Sequence, residues 1–211
     1  MRKGSILLAA MIIAATFSLP AHATVASGDA AQTSLRELVI RLGEPGGEVL
    51  WAQLDAETQH SVVDGMQLAG PPTLKRISFQ PDAIAKLFQT GGQTPDSGVI
   101  CGTINFVFSE TTLLGFDAFD YVQWKYTCHD GTAVYNVDFG DYIENVNWAF
   151  VWEGNIAHQG YYTQYPWEHY SMTEAKVGNC VFTYGCFNYL YPMIKVWSRG
   201  DGGFDWEMYN A

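Results

Sequence analysis

The sequence predicts a mainly β protein, in which an antiparallel β-sandwich or small barrel follows a small mixed α/β region. Short segments of alternating apolar and polar residues, separated by turn residues, recur in the C-terminal part of the chain, as is typical of sandwiches and barrels. Of the 31 Phe, Trp and Tyr residues, 27 lie in residues 98–211, together with all four cysteines. The Gly-rich stretch 91–98 therefore separates a mixed α/β region, 24–97, from a disulfide-containing β domain, 98–211.

Residues 1–23 predict a secretory signal peptide. Two basic residues precede an almost wholly apolar run, residues 6–17, and the sequence Ala-His-Ala at 21–23 offers small residues to a signal peptidase. The apolar run is shorter than a membrane-spanning helix. We therefore expect a mature chain that begins at Thr24, is secreted or periplasmic, and has no membrane span once the signal is removed.

The chain is acidic, with 11 Lys and Arg against 22 Asp and Glu. Removal of the signal takes away two cations, so the mature chain has 9 basic and 22 acidic residues, a net charge of −13. Nucleic acid and anionic lipid bind through Lys and Arg, which neutralise phosphate. The sequence therefore predicts no nucleic-acid partner and favours neutral or cationic ones. It contains no cofactor or metal-binding motif, and none is predicted.

The region 24–97 predicts a few short elements. Residues 35–42 are rich in apolar side chains and end at a cluster of Gly and Pro. Asp55 is a candidate N-cap for a helix over 56–66, and residues 73–79 are typical of a strand. Pro81 fits the first turn of a further helix, whose apolar face carries Ile84, Leu87 and Phe88.

A hairpin is predicted around the Asp130-Gly131 turn, between strands 121–128 and 132–139. Pairing of His129 with Thr132 gives three apolar cross-strand pairs on one face: Val122 with Phe139, Trp124 with Val137, and Tyr126 with Tyr135. Gln123 and Lys125 then lie on the opposite, polar face, across from Asp138 and Asn136. Alternation and turn chemistry agree on this register.

The remaining strands are predicted with less detail. A second hairpin around Gly154-Asn155 would pair Trp148 with Tyr161 and Phe150 with Gln159. Further strands are expected over 99–109, 187–198 and 204–209, with the second interrupted or placed at an edge by Pro192.

The four cysteines favour two disulfides, Cys101–Cys128 and Cys180–Cys186, because export permits them and no Cys-x2-Cys metal motif occurs. The first pairing raises a conflict. Cys101 points away from Ile104, Phe106 and Phe108, whereas Cys128 points with Trp124 and Tyr126. Two explanations stay open: a bulge shifts the register, or the bond joins two sheets across the core.

Residues 161–170 form the most unusual stretch, because Tyr and Trp rings surround Pro166, which prevents a continuous central strand. Rings flanked by amides and acids are typical of sugar and peptide grooves. The sequence therefore predicts a secreted or periplasmic binding module that recognises a carbohydrate, a cell-envelope component or a protein. Tyr165, Trp167 and Glu168 are the candidate ligand-binding residues. The alternative is that these rings cover one end of the sandwich.

Two other functions remain open. Paired carboxylates, Asp138 with Asp141 or Glu153 with Glu168, would serve a glycosidase-like hydrolase if each pair faced one cleft. A structural or inhibitory protein would need no site at all. The stretch 199–205 contains an Arg-Gly-Asp triplet and two carboxylates, which suggests a calcium or adhesion site, but an ordinary hairpin turn is the favoured interpretation.

Overall fold

The computed structural model describes residues 27–82, 98–182 and 185–210. The predicted signal peptide and its cleavage at Thr24 lie outside these residues, as do the apolar residues of the helix expected after Pro81. Pro81 itself is the last residue of a strand, so the helix does not begin there.

Three helices come first, and they pack on the same core as the strands. They are α1 Ser27–Leu42, α2 Gly47–Gln53 and α3 Ala56–Gly65. The N-cap at Asp55 is confirmed, because its carboxylate accepts a 2.7 Å hydrogen bond from the Thr58 amide. The left-handed backbone at Gly46 (φ 93°) turns the chain between α1 and α2.

Two antiparallel sheets make up the rest of the described chain and confirm the mainly β prediction. The strands are β1 Thr73–Pro81, β2 Ile100–Thr111, β3 Asp117–His129, β4 Val134–Glu144, β5 Phe150–Gln164, β6 Glu168–Cys180, β7 Cys186–Leu190, β8 Pro192–Arg199 and β9 Phe204–Asn210. The first sheet has the order β1-β2-β3-β4, and the second has the order β5-β6-β8-β9 with β7 paired to the far part of β6. Neither sheet closes on itself, so the fold is a sandwich and not a barrel.

The sandwich has two distinct ends. At the helix end, α3 approaches the start of β3 and the end of β6, where the Asn179 amide donates to the Met66 carbonyl at 2.9 Å. At the turn end, three hairpin turns lie together, at residues 130–133, 165–167 and 200–203. Apolar side chains from both sheets and from the helices form one continuous core between these ends. Burial of this shared core is what holds the two sheets and the helices together.

The β3–β4 hairpin forms, but the predicted register is wrong. His129 pairs with Val134, because the turn contains four residues, and a bulge between Tyr126 and Cys128 shifts the pairing by one more residue. The Asp130 side chain stabilises the longer turn by accepting from the Thr132 and Ala133 amides, each at 2.9 Å.

Cys101 lies directly opposite Cys128 on adjacent strands, and both predicted disulfides are present. Neither explanation offered for the conflict of faces is correct. The pairing of β2 with β3 is regular here, and the core-facing row of β3 is the one that carries Gln123 and Lys125. Trp124 lies on the outer face of the sheet instead. The apolar alternation in β3 had identified the wrong face.

The second predicted hairpin does not form. Residues 150–164 are one continuous strand, β5, which pairs with β6 through three register shifts. Gly154 (φ 116°) lies at the first of these irregularities and makes no turn. The interruption at Pro192 is confirmed, since β7 ends at Leu190 and β8 begins at Pro192.

Candidate functional site

The three residues predicted to bind ligand lie in and beside one turn, which joins β5 to β6. Tyr165 is 80% exposed and contacts only Tyr162 edge-to-face among the described rings. Trp167 and Glu168 are half-buried. The Glu168 carboxylate accepts a 2.5 Å hydrogen bond from the Thr163 hydroxyl across the hairpin. No described contact joins the three side chains to one another.

Backbone hydrogen bonds tie this turn to its two neighbours at the turn end. The Val134 amide donates to the Pro166 carbonyl at 2.9 Å, and the Gly200 amide donates to the Trp167 carbonyl at 2.8 Å. The Gly131 amide completes the junction with a 2.8 Å bond to the Gly200 carbonyl. A Cβ at Gly200 would lie 2.5 Å from the Ala133 nitrogen, so this close approach requires glycine. The junction holds the Tyr165 turn in a fixed place.

The stretch 199–205 forms the hairpin turn between β8 and β9, as the sequence favoured. The Arg199 guanidinium contacts both Asp201 and Asp205. The two carboxylates therefore balance an internal cation. No group of three or more potential metal ligands occurs among the described residues.

The suggested carboxylate pairs do not meet. Asp138 and Asp141 project from opposite faces of β4, as an odd spacing on a strand dictates. Glu153 forms a 2.6 Å ion pair with Lys176, and Glu168 lies at the other end of β6, roughly 26 Å away at strand spacing. Neither pair can flank one glycosidic bond in this geometry.

Three rings form a continuous row on the outer face of the second sheet. Tyr161, Tyr170 and Trp197 belong to the adjacent strands β5, β6 and β8 and occupy paired positions. Their ring centroids are 4.9 Å and 5.2 Å apart, with tilted planes. We call these three residues the aromatic row.

The aromatic row combines accessible and supporting rings. Tyr161 is 54% exposed and Trp197 half-buried, whereas Tyr170 is covered between them. Lys195 and Glu207 pair on the neighbouring strands of the same face and provide a hydrogen-bond donor and acceptors beside the rings. Flat rings beside polar groups suit ligands that have both an apolar face and hydroxyls.

The sequence interpretation missed Trp197 and placed Tyr161 in a different hairpin. One signal was present in the sequence. A hairpin centred on Tyr165-Pro166 puts Tyr161 directly opposite Tyr170, because the two are equally distant from its midpoint. Trp197 lies 27 residues beyond Tyr170, and no local pattern relates the two.

A second feature absent from the sequence interpretation is a polar cluster between the sheets. Lys125 is fully buried and donates to the His169 carbonyl at 2.9 Å and the Val196 carbonyl at 3.3 Å. Burial lowers the pKa of Lys125 to about 7. Burial, and then the charge of Lys125, lower the pKa of His169 to about 4. Because these groups are closed off from solvent, we assign them to the interior and not to the ligand site.

A buried carboxyl lies at the far side of the core, at Glu110 on β2. One of its oxygens accepts from the Asn210 amide at 3.4 Å, and the other has no partner among the described residues. Burial raises the pKa of Glu110 to about 7. The folded state therefore favours the protonated form of Glu110. The contribution of this protonated side chain to the free energy of unfolding is lost as the pH rises from 4.5 through 7.

Replacing Glu110 by glutamine is expected to raise the free energy of unfolding at pH 8 by about 1–3 kcal/mol, because the amide keeps the Asn210 contact without a buried charge. At pH 4 wild type and variant should differ little. Urea denaturation at both pH values measures the effect, with Glu37→Gln on the exposed side of α1 as the control. A lower stability of Glu110→Gln at pH 8 would contradict the expectation.

Comparison with known proteins adds no identification. The chain matches no protein-family model, no curated protein and no solved structure. In the part of the chain that the structure describes, no helix has both the length and the apolar character that a membrane span needs. Its two disulfides are typical of an oxidising, extracytoplasmic compartment.

Proposed function

We propose that this protein is an extracytoplasmic binding module that recognises a neutral or amino-substituted polysaccharide through the aromatic row. One observation supports this most: three rings from three adjacent strands touch in sequence on the solvent side of a sheet. A pyranose ring has an apolar face of C–H groups, which stacks on such rings, while its hydroxyls bond to flanking polar groups.

The charge of the chain narrows the ligand class. An excess of acidic residues repels polyanions such as nucleic acid and acidic glycans. Lys195 and Glu207 next to the aromatic row offer bonding to hydroxyls or amines. The location in an oxidising compartment suits a partner in the cell envelope or outside the cell.

We expect Tyr161→Ala and Trp197→Ala each to weaken binding to the recognised polysaccharide at least tenfold, about 1.4 kcal/mol. A panel of insoluble neutral and amino polysaccharides identifies the ligand by sedimentation with the wild-type protein, and titration then compares the variants. Tyr189→Ala is the matched control, since this exposed tyrosine lies on β7 of the same sheet, at the opposite end of β6 from the aromatic row.

The same experiment distinguishes the aromatic row from the turn that the sequence favoured. Tyr165→Ala removes the most exposed ring of that turn and should leave binding nearly unchanged. A large loss with Tyr165→Ala and none with Trp197→Ala would move the site to the turn end. Failure of the wild-type protein to bind any polysaccharide of the panel would overturn the proposal.

A further inference from the structure

A second cleft lies on the side of the sandwich where the edge strands β4 and β5 of the two sheets run close together. Side chains close this side. The ring of Phe139 stacks on His158 with centroids 4.1 Å apart, and the Tyr162 hydroxyl donates to the Val134 carbonyl at 2.9 Å. We call this contact the β4–β5 seam.

The seam opens into a cleft of about 550 Å³, lined by Asp141, Tyr142, Ile143, Trp152 and Asn155. This volume lies within the range of small-molecule sites. The side chains of this lining that share the inner side of the sandwich include the Trp152 ring, the Asp141 carboxylate and the Asn155 amide, whereas Tyr142 projects from the other face of β4. The cleft is separate from the aromatic row, since Trp152 precedes Tyr161 on β5 by nine residues, roughly 30 Å of extended strand.

The carboxylate of Asp141 is held in place by two neutral donors. The Tyr121 hydroxyl lies 2.8 Å from Oδ2, and the Asn155 amide donates to Oδ1 at 2.8 Å. Tyr121 is buried, and its oxygen lies 3.0 Å from the Thr173 hydroxyl. Because the phenol gives its single proton to the carboxylate, it accepts from Thr173. This series of hydrogen bonds, from Thr173 through Tyr121 to Asp141, fixes the direction in which the Asp141 carboxylate faces the cleft.

Asp141 is half-buried and, unlike Asp120 and Glu153, forms no ion pair with a described Lys or Arg. Asp120 pairs with Lys75 at 2.7 Å, and Glu153 pairs with Lys176 at 2.6 Å. No described Lys or Arg lies within ion-pair distance of Asp141. Burial raises the pKa of Asp141, and the Tyr121 hydrogen bond, the charge of His158 and the Asn155 hydrogen bond together offset that rise only in part. A half-buried carboxylate of this kind is stabilised by a positive charge.

We propose that the β4–β5 cleft binds an organic ammonium group, with Asp141 as its counter-ion and the Trp152 ring as its aromatic wall. An ammonium group is attracted by ring faces as well as by a carboxylate, and the combination distinguishes it from a neutral ligand of the same shape. The net negative charge of the chain adds a long-range attraction for cations. The site does not depend on the polysaccharide-binding function.

Choline is a suitable probe, because a neutral molecule of almost the same shape exists in which a quaternary carbon replaces the nitrogen. Calorimetric titration of the full-length protein should give choline a Kd of about 1 mM or tighter. The neutral isostere should bind at least tenfold more weakly. Choline should also change the tryptophan fluorescence, since Trp152 lines the cleft.

Two variants locate the site. Asp141→Asn keeps the shape of the side chain and should weaken choline binding at least tenfold, whereas Asp138→Asn, an exposed acid on the same strand, should leave it unchanged. Thermal melts establish that both variants are folded. The first decisive comparison uses the wild-type protein alone: if it binds choline and the neutral isostere with equal affinity, the proposal is overturned. An absence of choline binding, or choline binding by folded Asp141→Asn at the wild-type affinity, would also overturn it.

Discussion

Replacing Cys101 and Cys128 together by alanine is expected to lower the free energy of unfolding by about 2–5 kcal/mol. The disulfide closes a loop that contains the β2–β3 hairpin, with a sequence separation of 27 residues. Its loss gives the unfolded chain conformational freedom that the oxidised chain lacks, about 3.6 kcal/mol on the chain-entropy estimate. Urea denaturation of the oxidised wild type and the double variant measures the difference.

The second disulfide provides the matched control. Cys180 and Cys186 are separated by only 6 residues, so the same estimate gives about 2.4 kcal/mol for their double alanine variant. The expected order is therefore a larger loss for the Cys101–Cys128 pair. The reverse order would contradict the loop-entropy explanation and point to native-state contacts of Cys180 and Cys186.

The free energy of unfolding is expected to rise between pH 7 and pH 9, by up to about 1.4 kcal/mol per pH unit, because of Lys125. The pKa of Lys125 is about 7 in the folded protein and 10.5 in a model peptide. Within this window the unfolded chain holds a proton that the folded core releases. The contribution of Lys125 to the free energy of unfolding is therefore fully present above pH 10.5 and is lost as the pH falls through 7.

Lys125→Met removes this titration while it keeps most of the buried volume, so its stability should be nearly flat over the same window. Lys195→Met, on the outer face of β8, should keep the wild-type rise. Chemical denaturation at several pH values decides the matter. Parallel curves for wild type and Lys125→Met would show that Lys125 is not the group responsible.

Local chemistry in the sequence predicted some of these features well. The N-cap at Asp55, the interruption at Pro192 and both disulfides rest on interactions between residues close in sequence or on the small number of possible pairings. The mainly β class followed from alternation and turn residues, which depend on neighbours alone.

The errors arose where distant residues decide the outcome. Gln123 and Lys125 look like a solvent-facing row, but the backbone carbonyls of His169 and Val196 on the other sheet accept from Lys125 and allow its burial. No pattern within β3 contains that information. The β3–β4 register failed because a four-residue turn and a bulge together shift the pairing by an odd number of residues, which exchanges the faces.

The candidate site likewise combines features that nearby residues determine with features that distant residues determine. The sequence identified the segment 161–170 as rich in rings, yet it chose the turn residues and not the strand positions on either side. Tyr161 and Tyr170 become neighbours through the hairpin, and Trp197 joins them only when β8 pairs with β6. Predicting a contact such as that of Trp197 with Tyr170 requires the order of strands in the sheet, and local sequence patterns do not contain that order.

The placement of the two disulfides has a mechanical consequence. Cys101–Cys128 links β2 to β3 within the first sheet, and Cys180–Cys186 links β6 to β7 within the second. Since these are all four cysteines of the chain, no covalent cross-link joins one sheet to the other. A force that pulls the sheets apart is resisted by side-chain packing, by the hydrogen bonds that cross between the sheets and by the single backbone connection from β4 to β5. Under load the two sheets should therefore separate from each other while each sheet keeps its own disulfide.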